Sequence, residues 1–303
     1  MSSTELHSKV QHIGKILNDG KRPLKERFRA LFTLRNIGGF EAIKVINDCF
    51  CDSSALLKHE LAYCLGQMQD PAALPFLYKV LSDKEEHPMV RHEAGEAIGA
   101  IGCESSLEIL KKYANDPAPE ISETCHLAIK RIEWLTTHPD IKYNKSVYSS
   151  VDPTPSAGST DINELKNILL DDNKDLFERY TAMFALRDIN TTESILALCE
   201  GLFVGSALFR HEVAFVLGQL QNEASVPHLI KALADNSQNE MVRHECAEAL
   251  GSIATEECFN KLRVYQDDES RVVRESCDIA LDMAEYEVSN EFQYANTVLT
   301  IQA

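Results

Sequence analysis

Apolar residues recur along this chain at intervals of three and four, as in Phe28, Leu31 and Phe32 or Val90, Ala94, Ala97, Ile98 and Ile101. This spacing predicts short amphipathic helices throughout. The runs are broken by Gly, Pro and Asn-Asp-type stops, which makes stacked helical hairpins the expected architecture. Aligning the apolar stripes places Phe28, His59, His92 and Glu123 at equivalent positions, followed by Tyr180, His211, His244 and Glu275. The steps are 31, 33 and 31 residues in both sets.

The second set lies 152 residues after the first (211−59 and 244−92). The segment Met89 to Ile101 matches Met241 to Ile253 at nine of thirteen positions. The same offset joins Leu65-Gly66-Gln67 to Leu217-Gly218-Gln219 and Cys125 to Cys277. An internal duplication follows, and the expected fold is all-α: two four-repeat half-solenoids of helical hairpins, at residues 1–138 and 161–285. Residues 139–160, rich in Pro and Ser, read as a linker. Residues 286–303 lose the repeat pattern and read as a mobile tail or a short cover over the last hairpin.

The chain has 303 residues, with 30 basic and 47 acidic side chains and a formal charge of −17. That balance argues against nucleic acid as the main partner, since phosphate binding needs a basic surface. No run of eighteen apolar residues suggests a membrane span, and the first residues lack signal-peptide character, so a cytoplasmic location is expected. Nine Cys scattered through the helices fit reduced, buried thiols better than a disulfide framework. Cys49-Phe50-Cys51, the only close pair, lacks companions that would complete a metal site.

His-Glu occurs four times, as His59-Glu60, His92-Glu93, His211-Glu212 and His244-Glu245. The dipeptide occupies only the inner two repeats of each half. The outer repeats carry Phe28-Arg29, Glu123-Thr124, Tyr180-Thr181 and Glu275-Ser276 instead. A residue needed for stacking alone would recur at every layer. Stacked helices lie about 8–10 Å apart, a gap two inward-leaning imidazoles can close onto one ion. His59 with His92, and His211 with His244, are therefore candidate ligand pairs. Two His and a carboxylate leave open positions, as in non-heme Fe(II) sites that activate dioxygen. Two such half-sites facing each other would hold ions about 3.5–4 Å apart. Successive residues on a helix point about 100° apart, so a Glu directly after its His can flank the same ion only near a helix end or at the edge of the concave face. Glu96 and Glu248, one turn further on, suit either a supporting role or a solvated face. Arg91, Arg243 and the aromatics Phe28, Tyr63, Tyr180 and Phe215 read as framework.

These motifs, within Lys58-His59-Glu60-Leu61-Ala62, Val90-Arg91-His92-Glu93-Ala94, Arg210-His211-Glu212-Val213-Ala214 and Val242-Arg243-His244-Glu245-Cys246, resemble the deoxyhypusine hydroxylases, all-helical HEAT-repeat di-iron monooxygenases. The resemblance covers nearly the whole chain. It implies hydroxylation of the deoxyhypusine side chain of translation initiation factor 5A, with two Fe(II) ions, dioxygen and an external electron donor. It further implies iron ligation by His59, His92 and Glu93 and by His211, His244 and Glu245. Glu60 and Glu212 take the catalytic, substrate-binding role. Two other classes fit parts of the pattern: a metal-free HEAT-type scaffold that binds a protein partner, and a bilin lyase, which uses a similar short helical repeat.

Overall fold

The computed structural model describes residues 3–138 and 147–297. The first eight helices are α1 (Ser3–Leu17), α2 (Leu24–Ile37), α3 (Gly39–Asn47), α4 (Ala55–Gln67), α5 (Leu74–Ser82), α6 (Pro88–Ile101), α7 (Leu107–Tyr113) and α8 (Pro119–Thr137). The second eight are α9 (Ile162–Leu170), α10 (Leu176–Ile189), α11 (Thr192–Gly201), α12 (Ala207–Leu220), α13 (Val226–Ala234), α14 (Glu240–Ile253), α15 (Glu256–Tyr265) and α16 (Arg271–Glu287). Among the described residues there is no β-strand, and consecutive helices pair as eight hairpins. The fold is the all-α stack of helical hairpins that the periodicity predicts.

Register survives at every layer. Phe28, His59, His92, Glu123, Tyr180, His211, His244 and Glu275 are each the fifth residue of the second helix of a hairpin, as counting from Ala55 to His59 or from Glu240 to His244 shows. Phe28 and Tyr180 are buried in the core, as framework aromatics should be.

An arginine one residue earlier ties each hairpin together in alternate repeats. The Nε of Arg27, Arg91, Arg179 and Arg243 donates to the carbonyl of Leu17, Leu81, Leu169 and Leu233, at 2.7, 3.0, 2.9 and 2.8 Å. Each carbonyl ends a first helix, where no intrahelical donor remains. The same guanidinium also meets a carboxylate: Asp52 for Arg27, Asp116 for Arg91, Asp172 for Arg179 and Asp268 for Arg243. Arg91 and Arg243 are therefore framework residues.

The described residues divide into two compact units, one running to Thr137 and resuming at Asn290, the other spanning His138–Ser289. Two connecting segments differ from the sequence reading. The described part of the linker is docked on the second unit: Arg187 donates to both carboxylate oxygens of Asp152, at 3.0 and 2.7 Å, and the Ala157 amide donates to the Thr181 carbonyl. The Arg187 guanidinium also lies over the Tyr148 ring, 5.0 Å from its centroid. The end of the chain, instead of covering the last hairpin, belongs to the first unit. There Glu291 pairs with Arg29 at 2.8 Å, and the Tyr294 ring meets Arg29 and Phe32. Residues 139–146 of the linker and 298–303 of the tail lie outside the described residues.

All nine cysteines are free thiols, seven of them buried, and Cys51 is exposed. Burial pushes the Cys125 and Cys277 thiols up to about 12, which makes them inert packing groups at neutral pH. Among the described residues no helix is long and apolar enough to cross a membrane.

Candidate metal centre

Each helix that carries His-Glu begins at a capping residue five positions before its His. Ser54 and Ser206 accept from the amides of Leu57 and Phe209, and His87 and Asn239 from those of Met89 and Met241. A cap of this kind contributes about 1 kcal/mol and fixes where the helix starts. It thereby fixes the direction of the fifth side chain.

In the first unit, His59 on α4 and His92 on α6 lie side by side, with ring centroids 5.5 Å apart. Glu93 Oε2 sits 3.2 Å from His59 Nε2 and 3.9 Å from His92 Nε2. The second unit repeats the arrangement. The rings of His211 on α12 and His244 on α14 are 5.2 Å apart, and Glu245 Oε2 lies 3.3 Å from His211 Nε2 and 4.0 Å from His244 Nε2. All six side chains are buried, with His92 and His244 fully so. In the second unit, donor atoms of His211, His244 and Glu245 lie within 4.8 Å of one another.

Supporting groups differ between the units. In the second, Glu248 Oε1 is 3.5 Å from His244 Nδ1, the nitrogen turned away from Glu245. In the first, Thr124 Oγ1 on α8 stands 3.5 Å from His92 Nδ1, while Glu96 joins His92 and Glu93 in a group of convergent donors. Glu96 and Glu248 therefore face the clusters and not open solvent. A carboxylate or hydroxyl on the second nitrogen of a ligating imidazole fixes its tautomer and ring orientation.

The donor set fits a first-row metal ion. Nitrogen and carboxylate ligands held about 2.0–2.2 Å from a common ion stand roughly 3–4 Å from each other, the range spanned by the His–Glu distances in both units. Mixed imidazole and carboxylate donors suit iron, and three protein ligands leave positions open for exogenous groups. Glu60 and Glu212 are also buried, 7 and 2 % exposed, beside His59 and His211.

One signal escaped the sequence reading. A glycine follows each of the four His by seven residues: Gly66, Gly99, Gly218 and Gly251. The outer repeats place Arg35, Lys130, Arg187 and Asp282 there.

Comparison with known proteins separates the readings that the motifs left open. Residues 195–282 match a family of HEAT repeats, and residues 57–83, 90–116 and 178–203 match the PBS lyase HEAT-like repeat. The chain is 60 % identical over 288 residues to deoxyhypusine hydroxylase of Drosophila pseudoobscura pseudoobscura, covering 95 % of each chain. It is 58 % identical to the Homo sapiens deoxyhypusine hydroxylase over 287 residues, again covering 95 % of each. The chain belongs to the deoxyhypusine hydroxylase family. The solved structure of human deoxyhypusine hydroxylase in complex with glycerol superposes with a TM-score of 0.92, at 58 % identity, covering 94 % of this chain and 98 % of that one. The protein is thus a hydroxylase built on HEAT repeats, with His and Glu groups able to bind metal.

Proposed function

We propose that the chain is a deoxyhypusine monooxygenase that hydroxylates the deoxyhypusine side chain of translation initiation factor 5A, using dioxygen and two iron ions. One ion is assigned to His59, His92 and Glu93 and the other to His211, His244 and Glu245. The observation that carries this reading is the recurrence of one buried His, His, Glu cluster in both units, in a chain about 60 % identical to hydroxylases of that name. When bound, the iron pair supplies the activation of dioxygen.

The protein's own groups bind and orient. Glu93 reaches back from α6 toward His59 of α4, and Glu245 from α14 toward His211 of α12. In the preceding layers the residues at the register of the His are Phe28 and Tyr180, which offer Glu60 and Glu212 no imidazole partner of the kind that Glu93 and Glu245 meet. This leaves Glu60 and Glu212 for the substrate, whose long cationic amine a carboxylate can hold and orient. The formal charge of −17 favours encounter with a basic partner. Electrons come from an external donor, and the reaction belongs in the cytoplasm.

A metal-free scaffold would not confine His-Glu to four of eight layers, and a bilin lyase shares only the repeat. The deciding experiment loads the purified chain with Fe(II) without oxygen, counts bound iron, and adds deoxyhypusine-bearing factor with air and a reductant. The expected outcome is two irons per chain and a substrate heavier by one oxygen atom. A fully helical protein that retains no iron and leaves the substrate mass unchanged overturns the reading.

A further inference from the structure

Seven residues are close to two full turns of helix, so each glycine that follows a His by seven lies on the same stripe of its helix as that His. A Cβ placed on Gly66 of α4 would stand 2.7 Å from the Cα of Ala97 on α6. On Gly218 of α12 it would stand 3.1 Å from the Cα of Ala249 on α14. On the far side of each second ligand helix, a Cβ on Gly99 would meet Ala128 Cβ of α8 at 2.8 Å, and one on Gly251 would meet the Ala280 carbonyl oxygen of α16 at 2.6 Å. The obstacle includes backbone of the neighbouring helix in each case, which no side-chain rotation removes.

Close packing follows these glycines. Helix α6 packs extensively on α4 and on α8, and α14 on α12 and on α16, whereas α2 touches α4, and α10 touches α12, only lightly. The light contacts are the ones where Arg35 and Arg187 replace glycine. We infer that Gly66 and Gly218 are positioning residues of the metal centre: by letting α4 approach α6, and α12 approach α14, to glycine–alanine contact, they hold each imidazole pair at the spacing one ion requires. Gly99 and Gly251 seat the second ligand helix against the next layer in the same manner. The inference rests on the assignment of both clusters as metal sites.

The test measures Co(II) binding to the full chain without oxygen, by visible absorption and metal counting, with circular dichroism as the check on folding. Wild type should take up two ions; if it takes up none, the metal-site reading itself fails. Gly66→Ala should keep its helices and bind one ion as wild type does, with affinity for the other reduced roughly 10- to 100-fold. Gly218→Ala should weaken the opposite ion. If Gly66→Ala does not fold, Ala97→Ser crowds the same contact more gently and should weaken one ion selectively. Two ions bound with wild-type affinity in a folded crowded variant, or equal weakening of both ions, would overturn the inference.

Discussion

Glu93 lies closer to His59, on the neighbouring helix, than to His92, its neighbour in the chain: 3.2 against 3.9 Å. The roughly 100° between successive helix positions turns the carboxylate sideways, toward α4. Glu245 repeats the relation with His211 and His244. The two glutamates of each half thus differ only in what the preceding helix presents to them, and their proposed roles follow from that difference.

Exchange of the glutamates separates the roles. Glu93→Gln or Glu245→Gln should lower iron content toward one ion per chain. Glu60→Gln or Glu212→Gln should retain both ions and raise the KM for the substrate protein by about tenfold or more, the loss of a charge-assisted contact to an amine. Metal counting beside steady-state kinetics distinguishes the two, and loss of iron in Glu60→Gln would show the assignment reversed.

His59→Ala should remove one ion and abolish turnover while leaving the helical spectrum close to wild type. The outer layers stack with Phe28 or Glu123 at the same register, so the imidazole is dispensable to the solenoid. Full iron occupancy with unchanged activity would contradict the cluster.

Stability should fall in acid through the arginine-bound aspartates. Burial pushes Asp116 and Asp268 upward, but hydrogen bonds from Arg91 and Arg243, amide donors and the arginine charge outweigh it, and both carboxyls end below their usual value of 3.8. A folded-state pKa held below the unfolded one stabilises above the unfolded value, and that contribution disappears as pH falls through the folded value. The loss should therefore set in below about pH 4. Asp268→Asn should cost roughly 3–5 kcal/mol at neutral pH by leaving Arg243 buried beside a neutral partner, and should flatten the acid limb seen in denaturant titrations.

Arg187→Met should release the docked linker. The guanidinium is 1 % exposed and holds Asp152 by two hydrogen bonds and Gln219 by another, so a methionine of similar length keeps the packing and loses the clasp. Limited proteolysis should cut between residues 147 and 157 several-fold faster than in wild type, with the helices otherwise resistant. An unchanged cleavage rate would mean that other contacts seat the segment.

Much of this architecture was legible in the sequence, because repeat stacking maps one-dimensional period onto three-dimensional layer. The steps of 31, 33 and 31 residues put all eight aligned residues at one helical position. The confinement of His-Glu to the inner layers singled out the residues that converge. Other features depend on contacts that have no period. The docking of Asp152 on Arg187 and of Tyr294 on Arg29 joins irregular chain to helix, and composition alone reads such chain as loose. The glycines were visible but silent, since a glycine inside a helix registers as a weak helix former until the backbone opposite it is known. Which glutamate approaches the imidazole of the neighbouring helix likewise needed the distances between the two helices.

Each His-His-Glu cluster draws on neighbouring hairpins, and this bears on how a duplicated chain avoids confusing its copies. Helices α6 and α14 share nine of thirteen residues from Met89 and Met241 onward, so α4 could in principle pair with either during folding. The correct His59–His92 closure spans 33 residues and the wrong His59–His244 closure spans 185 (244−59). With cost growing as (3/2)RT ln n, the shorter loop is favoured by about 1.5 kcal/mol, or more than tenfold in population. Synthesis adds to the bias, because α6 leaves the ribosome before α14 has been made. Proximity along the chain thus acts as a proofreading device that the near-identical motifs themselves cannot provide.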